Sequence, residues 1–461
     1  MSKNNNISPI YNRLKTINTY PFHMPGHKRN PKILADFKNF IDLDFTEIPP
    51  TDNLFNAKEV ILESMQNTSK IFGSYKTYFL VNGSTSGILA SIMSQVKRDE
   101  YIMILKNCHV SVHNAVALAG AKPLYVKPMT KKGITCGVSI KKIKKTIKRA
   151  VKEGIKIKAL VLTSPTYEGL VINIKKVSKL LKKYGIMLIV DEAHGAHFNF
   201  SERFPKSGLK CGADVVIQSF HKTLPSFTQC AVIHINKNNI NIKSLEKYLS
   251  VVQTTSPSYI FMLSLEYATN YASTNTKKIQ KYTEKLLSIR THLTNNLKVL
   301  KLIDKNFLKN TGAIDYDISR LSFLIKDKYS SNLNGELLYN EFLYNNIQLE
   351  MYSRSHVIAI STICDDLKEL ENFKEVVTKI DKKLFKLANK NIKNKNKNNL
   401  KSLDSSLNKT CSSDIIPYPP GIPLVLSGEV ITYKIIKKLK NLIKNNVNII
   451  GLENNKIYIN K

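Results

Sequence analysis

The tract IVDEAHGAHF (189–198) sets Asp191, Glu192, His194 and His197 directly behind an apolar run. Carboxylate and imidazole at such spacing suit three kinds of chemistry. They could ligate a transition metal, with His23 and His27 of HMPGH as a second ligand-like pair. DEAH is also the box of a nucleic-acid helicase, but that machine needs a GxxxxGK[ST] phosphate loop, and the chain has no such tract. Third, Asp191 could be the carboxylate that an organic cofactor requires.

Other apolar runs end on equally reactive residues. YFLV (78–81) leads into Asn82, Gly83, Ser84, Thr85, Ser86 and Gly87, and YIMIL (101–105) into Asn107, Cys108 and His109. ALVL (159–162) is followed by Thr163, Ser164, Pro165 and Thr166, and VVI (215–217) by Gln218, Ser219, His221 and Lys222. In a parallel α/β sheet the carboxyl ends of the strands are where ligands bind. Each group alone has a plain structural reading: GSTSG as a capping turn, His109 as a helix cap, Lys222 beside His221 as a surface pair, Asp191 as a buried structural acid. A metal site would leave Lys222 and the hydroxyls without a role. One cofactor, pyridoxal 5′-phosphate, employs all of them. Its aldehyde needs a lysine amine, and its pyridine nitrogen needs an acid partner to remain protonated and draw electrons. Its phosphate suits hydroxyls at a helix start. Its flat ring suits an imidazole on one face and a small residue, such as Ala193, on the other.

The elements that must position these groups follow from periodicity. Short continuous apolar runs alternate with amphipathic stretches such as Ile140, Ile143, Ile147 and Val151, or Ile174, Val177, Leu181 and Tyr184. That pattern predicts a mainly parallel sheet covered on both faces. From about residue 295 the pattern changes to a smaller α+β unit, with strands at 321–325 and 357–361 and helices at 370–384 and 430–443. The tract NKNIKNKNKNNLK (389–401) is too polar to bury and reads as a loop reaching to about 410. The expected division is an arm over 1–45, a large cofactor-binding domain over 46–294 and a C-terminal domain over 295–461.

Composition bounds the rest. The 461 residues are 43% hydrophobic, enough for sizeable cores. A net charge of +35 invites a nucleic-acid reading, but the excess is lysine spread along the whole chain, so no specific nucleic-acid function is expected. No apolar run is long enough for a spanning helix, and the six scattered cysteines lack a CxxC pair, which suits reduced thiols in the cytoplasm.

Several tracts together carry a family resemblance. They are FHMPGHKRNP (22–31), DFTEIPPTDNLFNA (44–57), VNGSTSG, NCHVSVHNA, SPTYEG (164–169), VDEAHGAHF, SFHKTLPSFTQ (219–229), TTSPSY (254–259) and PYPPGIPL (417–424). In this order over nearly the whole chain they resemble the ornithine/lysine/arginine decarboxylases, fold-type I pyridoxal-phosphate enzymes, in their short bacterial form. The resemblance implies an aspartate-aminotransferase-like α/β fold and decarboxylation of a basic amino acid to a polyamine precursor. It makes Lys222 the lysine that carries the cofactor, Asp191 the partner of the ring nitrogen and His109 the stacking imidazole. Ser84, Thr85, Ser219 and His221 would hold the phosphate, with Ala193 and His194 lining the ring. It also implies a homodimer or higher homo-oligomer in which Thr255 and Ser256 reach the neighbouring subunit's phosphate; in one chain, Ser258 could simply cap a helix. Phe55 departs from the His common among relatives. Glu47, Asp52, Glu168 and Glu350 are the carboxylates available for a basic substrate's far end. An aminotransferase, an aldolase or a non-catalytic homologue of the same fold remain the alternatives, because fold alone does not fix the reaction.

Overall fold

The computed structural model describes residues 19–22, 52–237, 240–330, 333–395, 399–418 and 424–460, so most of the 1–45 arm, His23, His27, Glu47 and the centre of PYPPGIPL lie outside the described residues. Helix α1 (Val60–Phe72) precedes a seven-stranded sheet. Its strands are β1 (Lys76–Leu80), β2 (Tyr101–Leu105), β3 (Lys122–Val126), β4 (Ile157–Thr163), β5 (Met187–Asp191), β6 (Val215–Gln218) and β7 (Ala231–Ile235). They lie in the order β1-β7-β6-β5-β4-β2-β3, parallel except for β7, which runs antiparallel to both neighbours. Buried runs such as Ile102–Leu105 and Leu188–Val190 reflect a sheet covered on both faces.

The covering helices are α2 (Gly83–Gln95), α3 (Val110–Leu118), α4 (Ile140–Lys152), α5 (Ile174–Lys182), the short α6 (Phe220–Thr223), α7 (Ile242–Val252) and α8 (Tyr259–Thr274). Helix α4 shows how the sequence sets the packing. Ile143, Ile147 and Ala150 are buried, whereas Val151, expected on the same stripe, is 59% exposed. Each fully buried aliphatic side chain contributes roughly 1.5–3 kcal/mol relative to exposure.

Helix α9 (Thr276–Asn296) crosses to a second, antiparallel sheet of β8 (Leu300–Leu302), β9 (Arg320–Ile325), β10 (Met351–Tyr352) and β11 (His356–Ile360), in the order β8-β9-β11-β10. Helix α10 (Leu367–Lys395) covers it through Leu370, Phe373, Val377, Ile380 and Leu384. Asp381 on this helix accepts hydrogen bonds from the amides of Lys298, Val299 and Leu300 at 2.7–2.9 Å, fixing the edge strand. The core under this sheet is continuous with that of the large sheet. A separate cluster of Leu403, Cys411, Ile415, Ile431, Leu439 and Ile457 forms behind α11 (Tyr433–Lys444).

The Asn/Lys-rich tract is not a continuous loop. Residues 389–395 prolong α10, and Asn399–Ser402 is a strand antiparallel to Lys456–Ile459. High polarity did not exclude regular structure here, because helix propagation and strand pairing do not require an apolar side chain at every position.

Candidate active site

Parallel strands place their carboxyl ends side by side, and the reactive groups meet there. Strand β5 delivers Asp191, only 3% exposed, whose carboxylate accepts a hydrogen bond from the Ala193 amide at 3.2 Å. Burial raises its pKa, opposed first by the charge of Lys222 and then by the Ala193 amide and His109. The neighbouring β6 ends at Gln218, and Ser219 opens α6, which carries His221 and Lys222. Lys222 Nζ lies 3.0 Å from His194 Nε2. Burial lowers the Lys222 pKa, while Asp191 pulls it back up.

Glu192 and His197 of DEAHGAH are taken up structurally. Glu192 accepts hydrogen bonds from Ser207 Oγ (2.8 Å), Gln218 Nε2 (2.7 Å) and the Gly208 amide (2.6 Å), and burial pushes its pKa up to about 7. His197 Nε2 faces Asp317 at 3.2 Å, and its ring packs edge-on against Phe204. Among the described residues, no three His, Cys, Asp or Glu groups converge as metal ligands.

At the β1 end, Gly83 adopts φ +71 and its amide bonds the Gln229 carbonyl, turning the chain into α2. Asn82 stands at the N-cap but makes no capping bond, so the first amides of α2 are not filled by that side chain. Ser219 Oγ donates to Ser84 Oγ at 2.9 Å, joining two strand ends 135 residues apart. Thr85 is exposed beside them, whereas Ser86 turns back to the Gly83 carbonyl. Positive helix end and hydroxyls together make an anion cradle. His221 Nδ1 bonds the Cys230 carbonyl at 2.9 Å, so that nitrogen carries the proton. Burial lowers its pKa to about 4, which leaves Nε2 of the neutral ring as an acceptor.

His109 caps α3, its Nδ1 accepting from the Ser111 amide at 3.2 Å, while the residue remains exposed. Thus the structural reading of His109 holds for one ring edge and leaves the ring face available. Thr254, Thr255 and Ser256 are exposed, with Thr254 Oγ1 and Ser256 Oγ 3.2 Å apart. Gln253 accepts from the Val81 amide at 2.8 Å, so this segment leaves from the same end of the sheet as GSTSG. Ser258 occupies the N-cap of α8 without a side-chain capping bond.

Of the carboxylates named for a substrate's far end, Asp52 is spent on the amides of Asn53, Lys58, Glu59 and Ile61. Its partial burial raises the pKa, but those amides outweigh it and the net shift is downward. Glu168 acts on Cys136, and burial raises its pKa. Glu350 accepts from Tyr167 Oη at 2.5 Å and exerts its charge on both Lys222 and Arg320. It alone among the described candidates is tied to the lysine.

Sequence reasoning missed Arg320 and Tyr167. Arg320 opens the apolar strand RLSFLI, is 1% exposed, and places Nη2 2.5 Å from His194 Nδ1. Gly169, at φ +91, admits its stem: a Cβ there would stand 2.6 Å from Arg320 Cβ and Cγ. Tyr167 meets the His194 ring edge-on at 5.2 Å. A charged residue heading an otherwise apolar strand was the available signal for Arg320.

The profile of the Orn/Lys/Arg decarboxylase major domain matches residues 8–330, and that of the C-terminal domain of the same family matches 372–455. The chain belongs to the Orn/Lys/Arg decarboxylase family. Within this carboxy-lyase family it is 32% identical to the uncharacterized protein YaaO of Bacillus subtilis, over 96% of both chains. It is 28% identical to an arginine decarboxylase of Halalkalibacterium halodurans, covering 90% of this chain and 88% of that one. In structure it is similar to the Francisella novicida lysine decarboxylase LdcF (TM-score 0.64, 18% identity, 94% of this chain and 75% of that one). It is also similar to the Sphingomonas wittichii serine palmitoyltransferase (TM-score 0.58, 13% identity, 79% and 87%). These two likenesses bear on the fold, which is that of the fold-type I pyridoxal-phosphate enzymes. No helix of the described residues is long and apolar enough to cross a membrane.

Proposed function

We propose that this decarboxylase-family chain binds pyridoxal 5′-phosphate and removes the carboxylate of a basic amino acid, yielding a polyamine precursor: agmatine, cadaverine or putrescine. The observation that carries the reading is the placement of Lys222 Nζ 3.0 Å from His194 and within the field of the buried Asp191. An amine whose charge is disfavoured by burial, next to a carboxylate held in a dry place, is what this cofactor's two reactive ends need. The uncapped start of α2 with Ser84 and Ser219 supplies the third requirement, a seat for its phosphate. The residues therefore fit the group.

Lys222 would hold the aldehyde carbon and Asp191 the ring nitrogen. Ser84, Thr85, Ser219 and the α2 amides would hold the phosphate, and His221, neutral without it, would join them through Nε2 once the phosphate's charge draws a proton onto the ring. His109 would cover one ring face and Ala193, 6% exposed, the other, with His194 at the edge. Bound in this way, the cofactor supplies an electron sink for the pair left on Cα as CO₂ departs. Asp191 keeps that sink charged, and the enclosing sheet ends exclude water. Glu350 receives the substrate's terminal cation, oriented by Tyr167. Arginine is the first substrate to try, because several relatives aligned over most of the chain are arginine decarboxylases.

We further propose that the working unit is a homodimer or a higher homo-oligomer, with Thr255 and Ser256 completing the neighbouring site. The six scattered cysteines, with no CxxC pair, fit a cytoplasmic enzyme.

The deciding experiment measures CO₂ release from arginine, lysine and ornithine by the purified chain, with and without α-keto acids. Release from one of the three, abolished in Lys222→Ala together with the visible cofactor band, supports the reading. Amino-group transfer to a keto acid without CO₂ release would make it an aminotransferase. A cofactor band with no turnover of any basic amino acid would make it a non-catalytic homologue.

A further inference from the structure

We infer that Arg320 acts as a positioning residue that fixes which nitrogen of His194 carries the proton, and so holds unbonded Lys222 as the free amine. The inference rests on the assignment of Lys222 as the cofactor lysine only for its consequence, not for its geometry.

A guanidinium has N–H groups and no acceptor, and it keeps its proton in proteins. Arg320 Nη2 lies 2.5 Å from His194 Nδ1, a contact that is attractive only if Nδ1 offers its lone pair. His194 is 6% exposed, and burial, with the fixed charge of Arg320 beside it, drives its pKa well below the ordinary value. The ring is therefore neutral with a single proton, and Arg320 forces that proton onto Nε2. Nε2 lies 3.0 Å from Lys222 Nζ. An ammonium has three donors and no acceptor, so facing an Nε2–H it would set hydrogen against hydrogen. A neutral amine has a lone pair and accepts. The three groups form one directed chain, from Arg320 through His194 to Lys222, complete only when Lys222 is uncharged.

The groups around Lys222 divide into two camps. Asp191 on β5 and Glu350 ahead of β10 favour the ammonium, while Arg320 on β9 and burial oppose it. His221 on the same helix is neutral, its pKa near 4. From the elements packed on α6, His197 is engaged by Asp317. His234 and Cys230 of the β7 region are uncharged near neutrality, with pKa values about 3 and about 12. His109 acts on Asp191 and His194 rather than directly on Lys222. Two carboxylates would by themselves keep a lysine charged and unreactive. The Arg320–His194 pair counters them without placing a second cation against the amine. The amine with its lone pair is the form able to bond a carbonyl carbon. Arg320 Nε and Nη1 have no hydrogen-bond partner among the described residues, so His194 is the side chain that hydrogen-bonds this guanidinium, while Asp317 and Glu350 balance its charge.

The test uses the full-length chain stripped of cofactor. Trace acetylation with acetic anhydride across a pH series, read on the Lys222 peptide by mass spectrometry, gives the lysine's titration midpoint, with surface lysines of the same digest as reference. Magic-angle-spinning ¹⁵N spectra of protein labelled only in histidine, with His194 assigned by its loss in His194→Gln, give the tautomer. The wild type should show a midpoint below the surface lysines and the proton on His194 Nε2. Arg320→Met should raise the midpoint by about one unit or more, a tenfold loss of free amine at any pH below both midpoints, and move the proton to Nδ1. Arg320→Lys, which keeps a cationic donor, should retain the wild-type pattern.

A wild-type proton on Nδ1 overturns the inference without any variant, so a misfolded Arg320→Met does not protect it. A midpoint that rises in Arg320→Met with no tautomer change also overturns it, by reducing Arg320 to a charge effect. Addition of pyridoxal 5′-phosphate tests the functional reading separately. If no visible band forms that Lys222→Ala removes, the cofactor assignment falls, while the tautomer and midpoint still decide the relay.

Discussion

Asp191→Asn preserves the shape of the side chain and an oxygen for the Ala193 amide, and removes only the charge. The carboxylate is 3% exposed, so solvent and salt screen it little. Taking an effective dielectric of about 20 and a contact of about 4 Å, a unit charge facing a ring N–H⁺ contributes about 4 kcal/mol. If that interaction is needed mainly while charge develops at Cα, its loss lowers kcat by about 10³. The structure also says what should not fail. Asp191 raises the Lys222 pKa, so without it Lys222 is more readily the free amine, and covalent capture of the cofactor persists. The assay pairs kcat for CO₂ release at saturating substrate with a titration of the visible cofactor band. A thousandfold fall in kcat with the band retained is expected. Turnover within tenfold of wild type would refute the electrostatic role, and loss of the band in proportion to activity would make Asp191 a binding residue instead.

Glu350→Gln keeps the Tyr167 hydrogen bond in reach but discharges the group assigned to the substrate's far end. The expected loss is about 2–4 kcal/mol in kcat/KM for the preferred basic amino acid, roughly 30- to 1,000-fold; an unchanged value removes Glu350 from the substrate site. His234, bonded to Thr77 Oγ1 at 2.7 Å and facing Gln218 Oε1 at 3.2 Å, has a folded pKa of about 3. Because the unfolded chain takes up this proton near pH 6.5, stability falls as pH drops from about 6.5 towards 3, by up to about 1.4 kcal/mol per unit. His234→Gln should therefore flatten the pH dependence of urea unfolding between pH 6 and 4, and an identical slope in both proteins contradicts the assignment. For the shared site, Lys222→Ala chains mixed with chains carrying Thr255→Ala and Ser256→Ala should regain up to about a quarter of wild-type activity after subunit exchange, since half the dimers are hybrids with one intact site. No recovery despite exchange places Thr255 and Ser256 outside the neighbour's site.

What the sequence discloses depends on how local its cause is. The parallel sheet was legible because each strand buries both faces, so YIMIL and MLIV are apolar throughout and need no partner to be recognised. Asp191, Lys222 and Ser84 were legible because strand ends in such a sheet share one edge, so residue type after an apolar run already implies neighbourhood. The segment 389–401 was not, since its strand exists by register with Lys456–Ile459, a partner far along the chain. Asp52 was taken for a possible substrate carboxylate although it directly precedes a turn into α1, where an acid's first partners are the following amides. Arg320 was hidden for the opposite reason, because its partner is 126 residues away on a loop after β5. Its strand advertises a buried charge, and a buried charge must have a partner or cost several kcal/mol. Here Asp317 and Glu350 balance the charge, and the hydrogen-bond partner is the histidine beside the catalytic lysine assigned above. Thus the residue whose type least suits its own strand is the one that ties the second sheet to the chemistry of the first.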